Sequence, residues 1–199
     1  MTAEKMTAEE VIDLFASAFG DGVHEASIRT WGEGVARTKT PSLWLRIDRG
    51  LLHDAVRLLM GITCPHLAVI SGTDLGEAVE LIYHFGIYYG TGGGEYMISF
   101  AVSLPKDDLK IRTIADLIPG AVYSEREKQE MLGVQIVDIP DDRRLFLPED
   151  FPEGVYPWRK DESGVPETMI NRLWEAGRPT DRPEPPVAEK KAGGEGDGE

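Results

Sequence analysis

The chain has 199 residues, 41% of them apolar, enough for one domain with a sizeable core plus an extension and too few for two full domains. Its formal charge of -14 argues against general affinity for nucleic acid or anionic lipid, and leaves basic partners and other protein surfaces open. The one cysteine, Cys64, excludes an intramolecular disulfide framework and supplies too few thiolates for a cysteine-ligated iron–sulfur cluster or a structural zinc site, which fits a reducing compartment.

Thr7-x-x-Glu10 reads as a capping box, and Val11, Leu14, Phe15 and Ala18 follow at helical spacing before Gly20 stops the helix. Two strands are expected over His24 to Trp31 and Ser42 to Ile47. Asp48 is placed to cap a second helix whose buried stripe is Leu51, Leu52, Ala55, Leu58 and Leu59, with Gly61 as its exit. Leu67 to Ser71 is a compact β-type run. Ala78 to Tyr89 and Glu95 to Leu104 flank "GTGGG" as an antiparallel hairpin. The order implies an α+β fold, a mostly antiparallel sheet with helices packed on one face.

After Pro105 the character changes. "TIADLIPGA" reads as a short apolar helical turn or loop, and Ser124-x-x-Glu127 as a second capping box opening a helix that Gly133 ends. Pro140, Pro148, Pro152 and Pro157 then forbid a long helix or a central strand. Pro166 opens a last helix carrying Met169, Ile170, Leu173 and Trp174, and a Pro/Gly-rich charged tail follows Arg178. The expected organisation is a globular α+β domain over 1–118, a docking segment over 119–162, a helix over 163–177 and a disordered acidic tail over 178–199. No basic-then-apolar leader opens the sequence, and no apolar run approaches the length of a membrane span.

"GTGGGEY" lacks the Lys-Ser/Thr of a P-loop and the spacing of a dinucleotide fingerprint, so a hairpin turn is the better reading. His24, His53, His66 and His84 fall in four different elements without metal-ligand spacing. No nucleophile elbow surrounds any serine. Glu125, Glu127 and Glu130 have the chemistry for proton transfer, but Glu125 and Glu127 are better read as acids in a first helical turn, favoured by the helix dipole. "DDRR", Asp141 to Arg144, reads as a turn with local charge pairs. Two adjacent arginines cannot share one side of an extended strand, so one is available to a buried carboxylate.

Glu125-Arg126-Glu127, Met131-x-Gly133, Pro140-x-x-Arg143-Arg144, Leu147-Pro148-x-Asp150 and Tyr156-Pro-Trp-Arg-Lys-Asp161 follow one another within about forty residues. Together they resemble the signature of the NuoC-type family of respiratory complex I, which includes the equivalent subunit of energy-converting membrane-bound hydrogenases and related ferredoxin-linked complexes. The resemblance runs from about Ala8 to Asp161. It implies a hydrophilic peripheral-arm subunit that binds no cofactor itself and has no active site. Such a subunit packs on a large subunit resembling a nickel–iron hydrogenase and near small iron–sulfur subunits. It lies on the cytoplasmic face of the membrane, reaching it indirectly through antiporter-like subunits. By resemblance, Glu125, Arg126, Glu127, Gly133, Arg143, Arg144, Pro148, Tyr156, Trp158, Arg159, Lys160 and Asp161 take structural and partner-docking roles. The large interface this requires is rich in aromatic and arginine anchors, a residue type that Phe146 and Phe151 also supply. Gln129, Leu132, Ile139 and the extra Val155 depart from the complex I pattern. They shift the expectation toward a ferredoxin-dependent hydrogenase over an NADH/quinone oxidoreductase or a sulfane reductase. A free-standing α+β enzyme and a transient assembly factor are the alternatives from other classes.

Overall fold

The computed structural model describes residues 5–33, 38–90 and 94–170. The chain divides into a body ending at Val165 and a second unit that starts at Pro166. In the body, helix α1 (Ala8–Phe19) opens with the capping box the sequence predicts: the Thr7 hydroxyl accepts from the Glu10 amide, and the Glu10 carboxylate accepts from the Thr7 amide at 2.7 Å. Gly20, at φ +50°, ends it. Val11 and Phe15 are buried, and the Phe15 ring packs 5.2 Å from Phe100.

Strands β1 (Val23–Glu33) and β2 (Thr38–Ile47) pair antiparallel. A 3-10 turn, Arg49–Leu51, leads into α2 (Leu52–Ile62). Asp48 does not cap this helix; its carboxylate meets His24 Nε2 at 2.8 Å across the β1–β2 end instead. The buried stripe is Leu52, His53, Ala55, Val56 and Leu59. Leu51 and Leu58 are only half-buried, because the preceding 3-10 turn changes the helix phase, and the exit is Thr63 rather than Gly61.

Strands β3 (His66–Asp74), β4 (Ala78–Ile87) and β5 (Tyr96–Pro105) complete a five-stranded sheet in the order β1-β2-β5-β4-β3. Every neighbouring pair is antiparallel except β2 with β5, and β4–β5 is the expected hairpin. Residues 91–93 of its Gly-rich turn lie outside the described residues. Strand alternation sends Leu43, Leu45 and Ile47, then Leu81, Tyr83 and Phe85, then Ile98, Phe100 and Val102 into one core with the helices.

Beyond the sheet, β6 (Lys110–Arg112) pairs parallel with β7 (Gln135–Val137), and helix α3 (Ala121–Leu132) is the crossover between them. Residues 138–165 have no regular element, as the four prolines require. The second unit is described as far as Ile170: Pro166 precedes a single 3-10 turn, Glu167–Met169, with Met169 and Ile170 exposed. The expected helix positions Leu173 and Trp174, and the tail after Arg178, lie outside the described residues. Among the described residues no helix is long and apolar enough to cross a membrane.

Candidate docking surface

Helix α3 starts one turn earlier than the Ser124-x-x-Glu127 pattern suggests. Its first amides, on Ala121 and Val122, are met by the carbonyls of Ile118 and Pro119, so the start is set by the preceding turn, and Ser124 lies within the helix. Glu125 and Glu127 therefore sit past the first turn, and the dipole reading of them is corrected. Glu125 is fully buried: the Thr113 hydroxyl donates to it at 2.5 Å and the Ile114 amide at 2.9 Å. Burial pushes its carboxyl above the ordinary range against the pull of those two donors, and the Asp116 charge adds to the rise. The fully buried Tyr83 has its phenol pushed well up, by burial first and then by the Glu125 charge. Glu127 caps nothing; it pairs with the ammonium of buried Lys128, which also lies 4.7 Å from the centre of the Trp158 ring.

A carboxyl raised in the folded state favours the protonated form, so the contribution of Glu125 is present below the ordinary glutamate range and is lost as pH climbs from there through the raised folded value. Glu125→Gln, which keeps the shape and a hydrogen-bonding end, is expected to stay within about 1 kcal/mol of wild type, and Glu125→Ala to lose about 3 kcal/mol. Urea unfolding followed by circular dichroism at pH 4 and pH 8 checks both, and a pH response of the wild type no different from that of Glu125→Gln contradicts the assignment.

The neighbouring stripe of α3 holds the loop after β7. Arg126 donates through Nε to the Arg143 carbonyl at 2.6 Å, through Nη2 to the Arg144 carbonyl at 2.9 Å, and through Nη1 to Asp141 at 3.1 Å. One turn later, Glu130 accepts the amides of Leu145 and Phe146, the second at 2.9 Å. Two adjacent carbonyls and two adjacent amides are thus gripped by an i, i+4 Arg–Glu pair, both members buried. The sequence expectation that Arg143 or Arg144 meets a buried carboxylate is not met; Arg126 supplies the bidentate grip. Arg143 closes back on Asp141 at 2.9 Å, the local pairing that "DDRR" suggested, and Arg144 donates to the carbonyls of Pro148 and Phe151. Asp141 is held well below the usual carboxylate range, chiefly by Arg143.

With the backbone fixed, some of the side chains point outward while Asp141, Leu145 and Leu147 stay half-buried. Arg143 is 81% exposed and Phe146 63% exposed, and Pro148 lies on the same exposed stretch. An exposed aromatic and an exposed guanidinium on a braced loop are the residue types that anchor protein interfaces. Phe151 is half-buried.

The last signature block closes the far end of α3. Gly133 adopts φ +68°, and an added Cβ would come within 2.6 Å of the Tyr156 ring that lies against it. The Trp158 amide donates to the Met131 carbonyl and Arg159 Nε to the Leu132 carbonyl, so two terminal carbonyls of the helix are satisfied and a cation sits at its negative end. Trp158 still leaves 42% of its surface exposed. Lys160 is exposed, and its amide donates to Asp74 at 2.9 Å. Asp74, fully buried, also receives the Gly76 amide at 2.9 Å and the Lys106 ammonium at 3.0 Å. That ammonium bridges on to Asp161, which in turn takes the Ser163 amide and hydroxyl. Asp74 and Lys106 were not among the sequence candidates. Gly133→Ala is expected to cost about 2–3 kcal/mol, from the left-handed backbone and the displaced Tyr156 ring together. A thermal unfolding midpoint matching wild type contradicts this packing.

The histidines are held separately: His53 by Asp116 at 2.8 Å, His84 between the hydroxyls of Ser99 and Ser71, His24 by Asp48, and His66 edge-on to Tyr89. Among the described residues no group of three or more His, Cys, Asp or Glu side chains is arranged to hold a metal ion. Gln129, Ile139 and Tyr156 line a cleft of about 510 Å3 beside β7. An adjoining cleft of about 380 Å3 takes in Gln129, Val155 and Tyr156, so three of the departures from the complex I pattern lie together.

Residues 45–167 match the family described as "Respiratory-chain NADH dehydrogenase, 30 Kd subunit". The chain belongs to this family. Membrane-bound hydrogenase subunit beta of Pyrococcus furiosus is 31% identical over 182 residues, which cover 90% of this chain and 95% of that one. Hydrogenase-4 component G of Escherichia coli is 34% identical over 120 residues, covering 59% of this chain but only 21% of the relative. Among solved structures, a chain of the membrane-bound sulfane sulfur reductase, an archaeal respiratory membrane complex, shares the fold at a TM-score of 0.60 with 20% identity, over 76% of this chain and 83% of that one. The signature residues of this family member thus brace one helix and one loop, with Arg143 and Trp158 among those left on the surface, beside exposed Phe146.

Proposed function

We propose that this chain is a peripheral-arm subunit of a membrane-bound, ion-translocating oxidoreductase complex. It has no catalytic centre of its own and docks onto a hydrogenase-like large subunit through the loop held by α3. The observation that carries this reading is the Arg126/Glu130 grip, which uses buried charge to fix a loop that presents Arg143 and Phe146 to solvent. Burying ionised groups costs free energy, which here is offset by the hydrogen bonds that order a surface loop, and a binding surface gains from a loop already ordered before association. The likeness to a hydrogenase subunit over nearly its whole length supports the hydrogenase branch; in this reading ferredoxin is the electron donor. In component G, the matched region is about a fifth of that polypeptide. In this reading, iron–sulfur clusters and nickel–iron chemistry reside in partner subunits. The chain sits at the cytoplasmic face, and the membrane is reached through other subunits.

The test is gentle-detergent purification of the tagged chain from its native membranes, with subunits identified and hydrogen evolution from reduced ferredoxin assayed. A nickel–iron-type large subunit, iron–sulfur subunits and antiporter-like proteins at equal stoichiometry, with hydrogen produced, are expected. The same partners without hydrogen overturn the hydrogenase branch in favour of a quinone- or sulfur-reducing complex. A lone chain, or a substoichiometric and salt-sensitive association, overturns the subunit reading.

A further inference from the structure

Strand β1 forms one edge of the five-stranded sheet, and no strand of the described residues pairs with its outer side. It is eleven residues long and carries neither proline nor lysine, two common means of protecting an edge. A bulge interrupts its pairing with β2 only at the Val23/Glu25 end, and the register from Glu25 to Glu33 is continuous. Such an edge is a ready template for another strand.

The sequence of β1 selects that strand. Turned end for end about Ser27, the regular part of the strand, "EASIR", is complementary to itself: Glu25 falls opposite Arg29 and Ala26 opposite Ile28. Glu25, Arg29 and Trp31 are exposed, and Ser27 carries a buried hydroxyl with no hydrogen-bond partner. Opposite charges facing each other across an antiparallel pair favour that register, and serine hydroxyls on the axis can bond each other. We infer that the edge of β1 is a self-association site, at which a second copy of this chain adds antiparallel about a two-fold axis at Ser27 to make a continuous ten-stranded sheet. Within each copy the docking loop belongs with α3, which packs against β3 at the opposite edge of the sheet, so pairing through β1 leaves that loop free. The inference is independent of the subunit reading.

The test is sedimentation velocity on the isolated full chain over a concentration series, with folding checked by circular dichroism. The wild type is expected to show a monomer–dimer equilibrium. Glu25→Arg alone and Arg29→Glu alone each put like charges opposite at two symmetry-related places and weaken association by about tenfold or more. The double variant E25R/R29E restores opposite charges and is expected to recover dimerisation. Residues directly opposite in an antiparallel pair lie roughly 4.5–5.5 Å apart at Cα, within disulfide reach. In a Cys64→Ser background, Ser27→Cys should therefore form a covalent dimer under oxidised glutathione, and Arg29→Cys should not. A wild type that stays monomeric throughout overturns the inference. So does a double variant no better than the single ones, or Arg29→Cys cross-linking as readily as Ser27→Cys.

Discussion

Arg126→Ala and Glu130→Ala are expected to leave the sheet folded and release the loop over 141–146, with partner binding falling by about a hundredfold or more. Arg126 makes two carbonyl contacts and an ion pair, and Glu130 holds two amides. Hydrogen bonds to charged groups are worth about 1.5–3 kcal/mol each, so either change removes most of what orders the loop. A freed loop must be ordered again on docking, at about 1 kcal/mol or more per residue, and two or three residues' worth already reaches that loss of affinity. Hydrogen exchange reads the first half directly: the Leu145 and Phe146 amides should be protected in wild type and lose protection in Glu130→Ala. Co-purification stoichiometry with the large subunit reads the second half. Unchanged protection would remove the grip from the account, and lost protection with undiminished binding would show that pre-ordering is irrelevant to docking.

The other large effect is at Asp74, which has no exposed surface on its side chain. Its carboxylate takes the amides of Lys160 and Gly76 and the Lys106 ammonium, tying the β3–β4 turn and the end of β5 to the last signature block. Asp74→Ala leaves those donors in place without an acceptor, so a loss of about 3–4 kcal/mol is expected by urea unfolding. A loss under about 1 kcal/mol would mean that water replaces the carboxylate. Asp74 is pulled up by burial, but the two amides and Lys106 outweigh this and hold its carboxyl below the usual range. Asp161 is held well below that range, first by Lys106 and then by Ser163. A carboxyl lowered by folding stabilises the protein above the unfolded-chain value of about 4, and the contribution drains as pH falls toward the folded value. Wild type should therefore lose stability steeply below about pH 4, and Asp74→Ala more gradually.

The elements readable from sequence were those specified locally. Thr7 and Glu10 cap α1 from within four residues, Gly20 ends it, and the β4–β5 hairpin shows in two alternating runs around glycines. Helix α3 was harder because its inward stripe is charged. Glu125, Lys128 and Glu130 break the apolar periodicity that marks a buried face, and two of their partners, Thr113 and Leu145, lie 12 and 15 residues away in sequence. The Ser124-x-x-Glu127 spacing imitates a cap at a place where the helix is already under way. Asp74 had one visible sign, the Asp-x-Gly turn with Gly76, and nothing in the sequence reveals that the chain returns 86 residues later to place Lys160 on it. The signature blocks were visible as blocks; that they brace one helix, with only a few side chains left for a partner, required the fold.

The most direct measurement is photo-crosslinking within the native complex, with a photoreactive amino acid placed at Phe146, and at Met60 on the exposed side of α2 as the control. The Phe146 position is expected to cross-link to the hydrogenase-like large subunit and the Met60 position not to. Cross-links to that subunit from Met60, with none from Phe146, would contradict the assignment of the docking surface.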